Sequence, residues 1–400
     1  VNMGMAKMAK SPVLLAGDID RGGVFAQLYG TVELLEEDER KMIKGLIINK
    51  FRGDKTILDP GVAMLEEKCG IPVVGVAPYM NIQVEDEDSL TERFERPQEV
   101  GQIDMAVIRI PRISNFTDFN PLESIPGVSL RYVQHPSDLM HPDVIFLPGT
   151  KNTMEDLLWL RQSGLEAELL KCHEKGVFLM GICGGFQMLG KRLCDPEQVE
   201  DGGELRGMGL LDVETVFRPE KHRAQTAGTV ARLSGQLEPL SGCAVRGYEI
   251  HMGETVYTET AQPFAMLTDG RKDGCVCADG TVCGTYLHGI FDTPELTQKL
   301  VQLLLEKKGI SGTTVPAVDF AAKKEQEYDK LADLLRDYPR TQVLCSAMAK
   351  TMMTQFFGPG FQERIHVVKE GDTLSLGRHE LTFVMAPLVH WPEVMVEYEE

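Results

Sequence analysis

From Pro12 to Pro78 short apolar runs alternate with amphipathic stretches. "PVLLAGD" predicts a buried strand, "EEDERKMI" a helix, "GLIINK" a second strand, "LDPGVAMLEEKCG" a helix closed by Gly70, and "PVVGVAP" a third strand. Strands with so little polar alternation, separated by helices, predict a parallel sheet covered on both faces, the α/β class. The stretch "NIQVEDEDSLTERFERPQEVG" is charged and poor in apolar residues, which places a domain boundary near Gln98.

A second alternating unit follows. "IDMAVIRI", "SLRYVQ", "DVIFLPG" and "GVFLMGIC" predict strands, with a helix over Thr153 to Lys175 between the last two. From Gly207 to Gly284 the pattern becomes β-rich, and Pro294 to Lys308 is expected to be a helix with proline in its first turn. After Gly312 the character changes again. The expected division is therefore 1–98, 99–310, a helical extension over 311–339, and a β-rich segment over 340–400.

Composition narrows the function classes. No apolar run in the 400 residues is long enough to span a bilayer, and the net charge of −19 lacks the basic cluster that nucleic-acid phosphates require. Neither a membrane nor a nucleic acid is expected as partner. Nine scattered cysteines suit free thiols in a reducing cytoplasm. Cys275, Cys277 and Cys283 are close enough in sequence to raise a metal site, but they lack paired C-x-x-C spacing, and alternating cysteines on a strand are the plainer expectation. No metal ligand is assigned.

The most informative stretch is "GICGGFQMLGKR", Gly181 to Arg192. From Gly181 it reads as a nucleophile on a tight strand-to-helix turn, where small neighbours are needed because side chains would collide with strand or helix. From Gly185 it nearly reads as a phosphate loop. However, Arg192 stands where a Ser or Thr should bind Mg²⁺, and "FQMLGKRL" is expected inside a helix. Cys183 is therefore the expected nucleophile, its thiolate favoured by helix N–H groups. A base and an oxyanion site must accompany it. His288 ends the strand-like run of "GTYLHGIFD", and the backbone N–H groups at Gly149 in "IFLPGTKNT" and at Gly184 offer the two halves of an oxyanion hole.

Together "DVIFLPGTKNT", "GICGGFQMLG", "GYEIHMGET" and "YLHGIFD" resemble the glutaminase domain of class I glutamine amidotransferases, in the branch that amidates corrinoids. Upstream, "GDIDRGGVFA", "GLIINKFRGD" and "PRISNFTDFNPL" resemble the cobyric acid synthase family, the likeness covering roughly residues 1 to 338. The resemblance implies a partial P-loop-NTPase-like sheet, similar to dethiobiotin synthetase, followed by a class I glutaminase α/β domain.

It also implies the chemistry. Cys183 would attack L-glutamine and release ammonia, with His288 as base and then acid. ATP and Mg²⁺ would activate four side-chain carboxylates of adenosylcobyrinic acid a,c-diamide, the glutaminase domain itself binding no cofactor. Tyr248, Glu249 and His251 would shape the glutamine pocket, His251 being alternatively a core histidine. Asn49 would read adenine, and Arg21 would lie with the nucleotide or substrate. Asp18 and Asp20 would hold Mg²⁺ or meet substrate, unless they cap the turn that follows. Two departures stand out: Ile290 occupies the place of the Glu that orients the histidine in ordinary class I members, with Asp292 nearby, and the phosphate loop of the family is not found. Loss of synthetase activity is therefore expected if Val1 is the true start. The last segment, "VVKEGDTLSLGRHELTFVMAPLVHWPEVMVEYEE", resembles part of a flavodiiron-type metallo-β-lactamase fold, with His390 at a ligand position but not expected to be metallated. The competing expectations are a cobyrinic acid a,c-diamide synthase and an inactive remnant serving as an interaction module.

Overall fold

The computed structural model describes residues 2–9, 11–80, 82, 101–310, 312–313, 315–337, 343–357, 363–375, 380–385 and 395–399. They form two compact units, one from residues 1–83 with 327–400 and one from residues 84–326. No helix among the described residues is long and apolar enough to cross a membrane.

In the first unit, β1 (Val13–Asp18), β2 (Ile43–Phe51) and β3 (Val73–Pro78) form a parallel sheet in that order. Helices α1 (Val24–Leu34) and α2 (Asp59–Cys69) cover it, burying Val24, Leu28, Val32 and Leu65 with Leu46 and Ile48 of the sheet. The helix expected over "EEDERKMI" differs from this. Only Glu37–Arg40 is helical, started by a capping box between Glu36 and Glu39, and Ile43 already belongs to β2. The covering helix is instead α1, whose Gly30 and β-branched residues weaken its signal in the sequence. Gly70 ends α2 in the left-handed region at φ 66°, as expected. The later part of this unit holds a parallel pair, Val343–Cys345 with Ile365–Val367, and an antiparallel set of Thr373–Ser375, Glu380–Met385 and Met395–Glu399. His390 lies outside the described residues.

The second unit is built on a six-stranded sheet. Its strands are β4 (Ile103–Ile108), β5 (Val128–Val133), β6 (Val144–Leu147), β7 (Phe178–Ile182), β10 (Cys275–Val276) and β11 (Val282–Thr285), in the order β10-β11-β7-β6-β4-β5. All neighbours are parallel except β10 and β11. β4, β6, β7 and β11 are buried at every residue, which explains their unbroken apolar character. A long antiparallel hairpin, β8 (Val213–Val230) with β9 (Ala244–Tyr257), anchors a second sheet.

Two expectations are corrected here. The segment over Thr153 to Lys175 is two helices, α3 (Thr153–Gln162) and α4 (Leu165–Glu174), because Gly164 turns the chain at φ 82°. The helix after Cys183, α5, ends at Leu189, and Arg192 begins a strand, Arg192–Asp195. Helix α6 (Pro294–Lys307) runs as expected.

Candidate active site

Four segments converge at the carboxyl end of the parallel strands, where open α/β sheets bind ligands. Cys183 follows β7, Gly149 follows β6, His288 follows β11, and a loop over Ile113–Glu123 follows β4. Cys183 has φ 49° and ψ −108°, a conformation that side chains rarely adopt, between the end of β7 and the start of α5. The surrounding glycines are needed there. A Cβ on Gly185 would lie 2.0 Å from the carbonyl oxygen of Leu147, and one on Gly184 would lie 2.5 Å from Thr150 Cγ2. The sequence folds locally into a sharp elbow that exposes one thiol to the converging loops.

The Cys183 thiol donates to the carbonyl oxygen of Ile250 at 3.6 Å and lies close enough to the His288 imidazole to favour its protonated form. Gly149 touches the same histidine: a Cβ there would sit 2.9 Å from His288 Cε1. Gly184, the residue after Cys183, lies against Thr150, the residue after Gly149, which brings the two glycine-bearing turns together. Gly184 is also the first residue of α5, so helix geometry leaves its N–H without an intrahelical acceptor. The structure thus brings together Cys183, His288, Gly149 and Gly184.

His288 is 1 % exposed. Its Nδ1 lies 2.7 Å from Asp118 Oδ2, and the backbone N–H of Gly289 donates to Asp118 Oδ1 at 2.9 Å. Burial favours the neutral ring, but the Asp118 carboxylate, and after it the neighbouring Cys183, outweigh it and push the imidazolium up to about 10. Ile290, at the position where class I members carry Glu, is fully buried and apolar. Tyr248 stacks on the imidazole with ring centroids 5.3 Å apart, exchanges two backbone hydrogen bonds with His288, and receives a side-chain hydrogen bond on its hydroxyl from Asn115 Nδ2 at 2.6 Å. The motif "PRISNFTDFNPL" was noted in the sequence for its family resemblance, but neither Asp118 nor Asn115 within it was given a role in the site. The available signal was an acid between two phenylalanines in "NFTDF", and periodicity cannot distinguish such an acid from a solvated turn residue.

Glu249 and His251 take part in a different set of contacts. Arg271 donates to both Glu249 oxygens at 3.1 and 2.6 Å, and His222 Nε2 lies 3.2 Å away. Burial acts to raise this carboxyl group, but His251, Arg271 and His222 hold it down at about 2. His251 stacks on Tyr286 at 3.8 Å and donates through Nδ1 to the Gly253 carbonyl. His222, Glu249 and His251 are the one group of three potential metal ligands among the described residues, their ligand atoms lying within 4.8 Å of one another. The Arg271 guanidinium already balances that carboxylate, so the donor set suits an internal ion cluster better than a cation. Cys275, Cys277 and Cys283 form no such group, the Cys277 thiol donating instead to Asp279 at 2.9 Å.

In the first unit, Asp18 and Asn49 are register partners at the ends of β1 and β2. Asp18 accepts from Lys50 Nζ at 2.7 Å and from the backbone N–H of Asp20 at 3.0 Å, so it does cap the following turn. Arg52 donates to both Asp20 oxygens at 3.0 and 2.9 Å and covers the Tyr79 ring at 3.3 Å. Asn49 Oδ1 accepts the Lys50 N–H at 2.9 Å. Asp18 and Arg21 line a cleft of about 490 Å³ with Gly17, Gln27 and Thr31.

Comparison with known proteins matches residues 104–296 to the CobB/CobQ-like glutamine amidotransferase domain. A cobyric acid synthase of Lachnoclostridium phytofermentans is 52% identical over 351 residues, covering 84% of this chain and 68% of the relative. One of Alkaliphilus metalliredigens is 48% identical over 347 residues, covering 84% and 69%. A chain from the solved PurLQS structure of Thermotoga maritima is 20% identical, covers 52% of this chain and 99% of its own length, and gives a TM-score of 0.40. The chain spans about two thirds of the length of these curated relatives. It belongs to the cobyric acid synthase family.

Proposed function

We propose that Cys183 and His288 hydrolyse L-glutamine, and that the ammonia released amidates side-chain carboxylates of a corrinoid, adenosylcobyrinic acid a,c-diamide, at four positions. The observation that carries this reading is the strained Cys183 elbow beside a buried, carboxylate-paired imidazole. The Cys183 sulfur attacks the side-chain carbonyl carbon of glutamine, and the oxyanion is met by the N–H groups at Gly149 and Gly184. The imidazolium of His288 gives its proton to the amide nitrogen, which leaves as ammonia as the C–N bond breaks. His288, now neutral, takes a proton from water, and the resulting hydroxide attacks the thioester to release glutamate and restore the thiolate–imidazolium pair. A raised imidazolium is the form needed for the first transfer, and the thioester step uses the neutral form that this transfer leaves behind.

When bound, ATP with Mg²⁺ would supply activation of the acceptor carboxylate by phosphorylation. On this reading Asn49 and Arg21 face the nucleotide or substrate at the edge of the first sheet. Asp18 and Asp20 are each already paired with a cation, Lys50 and Arg52, so this edge as built fits an anionic group better than a divalent metal. Glutamate release by the wild-type chain, compared with Cys183→Ala, tests the glutaminase half. Mass analysis of the corrinoid after incubation with ATP, Mg²⁺ and glutamine tests the acceptor, and an unchanged corrinoid would remove the amidation half of the proposal.

A further inference from the structure

We propose that Asp118 is the positioning carboxylate of His288, supplied by the loop after β4 instead of by the segment that follows the histidine. Ile290 is buried and carries no polar atom in its side chain, so the residue two places after His288 is unable to serve. The Asp118 carboxylate reaches Nδ1 at 2.7 Å with one oxygen and the Gly289 N–H at 2.9 Å with the other. It therefore fixes both the ring and the backbone that bears it. A proton held on Nδ1 directs Nε2 to the sulfur and the leaving nitrogen.

The loop is built to hold that carboxylate still. Asp118 lies in a short 3₁₀ turn, Phe116–Phe119, entered through Asn115 in the left-handed region at φ 53°. Phe119 packs on Phe146 and Phe291 with centroids 5.2 and 6.1 Å away, and Phe116 is also buried. Ser114 pairs with Gly149 in a short antiparallel bridge, while Asn115 holds the Tyr248 hydroxyl and so the ring that covers the imidazole. One segment thus touches the acid–base group, its aromatic cover and the candidate oxyanion strand. It acts as a single orienting device whose polar groups are directed at the reacting residues.

The inference rests on the glutaminase reading, so the wild-type chain and Cys183→Ala set the reference. If wild type releases no glutamate above Cys183→Ala, the glutaminase reading itself is lost. Where wild type is active, Asp118→Asn is expected to lower kcat for glutamine hydrolysis about 10²- to 10⁴-fold while KM stays within about threefold, as for loss of an orienting carboxylate. The alkaline limb of the kcat/KM profile should also move about one pH unit or more toward neutrality, because the imidazolium loses its anionic partner. A merely structural aspartate would not move that limb. Retained kcat with an unmoved profile in folded Asp118→Asn overturns the proposal. Should that variant not fold, ¹⁵N-histidine NMR of wild type decides, with His288→Gln as the assignment control. A proton on Nδ1 throughout the neutral range supports the proposal, and an unprotonated Nδ1 there overturns it.

Discussion

Asp18 ends a parallel strand and Asp118 lies in the loop beyond another, and each places one oxygen 2.7 Å from a cationic nitrogen. The distances are equal, but the surroundings are not. The Asp18 side chain is 25% exposed and Lys50 44%, whereas Asp118 and His288 are 4% and 1% exposed. In water the first pair is screened and readily exchanged, while the second acts at low dielectric with its geometry fixed by packing. A surface pair of this kind can open to let an anionic ligand in. A buried one is set before substrate arrives, which is what proton transfer requires.

The largest effect on this contrast is expected from Gly185→Ala. Its new Cβ would lie 2.0 Å from the Leu147 carbonyl oxygen, a backbone atom at the end of β6 that has no room to withdraw. Denaturant unfolding should show a loss of roughly 3 kcal/mol or more, together with loss of glutaminase activity. A variant with wild-type midpoint and activity would mean that the elbow is softer than its buried surroundings imply. Gly149→Ala sharpens the same point more locally, since its Cβ meets His288 Cε1 at 2.9 Å and Ser114 Oγ at 3.2 Å. The fold should survive while kcat falls about a hundredfold through displacement of the ring. Equal kcat in the two proteins would detach Gly149 from the histidine's alignment.

What the sequence disclosed follows the same division. β4, β6, β7 and β11 were legible because strands buried on both faces are unbroken apolar runs, and Cys183 because its glycines are demanded by local sterics. Asp118 was not legible, as its meaning lies in a contact 170 positions away in the chain, which no local period records. Glu249 shows the reverse case. Its motif drew attention to glutamine binding, while the Arg271 and His222 partners that occupy its carboxylate come from other strands and loops. Helix α1 escaped because packing, more than propensity, holds it: Val24, Leu28 and Val32 are each at most 2% exposed.

Glu249→Gln tests whether burial alone is enough to make an ion cluster matter. Glu249 is 3% exposed, and its carboxyl group is held at about 2 against an ordinary value of 4.5. A depressed acid stabilises the fold above the unfolded value and loses that contribution as pH falls through the folded value. The stability gap between wild type and Glu249→Gln should therefore be about 2–3 kcal/mol at neutral pH and close between about pH 4.5 and 2. Urea titrations across that range measure it. A gap that does not change with pH would assign the cost to packing and not to charge.

The smallest effect on folding belongs to the exposed edge. In Lys50→Ala or Arg52→Ala the lost partner leaves Asp18 or Asp20 facing solvent, and the hold that keeps each carboxyl group below its ordinary range is released. Neither change should alter the melting temperature beyond experimental scatter, and glutamine hydrolysis should stay within about twofold of wild type. The consequence should appear in ligand capture. If these cations receive an anionic substrate, inorganic phosphate or a polycarboxylate should bind wild type more tightly than either variant, with the difference shrinking as salt is raised. Equal binding at low salt would show that Lys50 and Arg52 merely satisfy their carboxylates, and the contrast between an exchangeable edge and a fixed one would then rest on Asp118 alone.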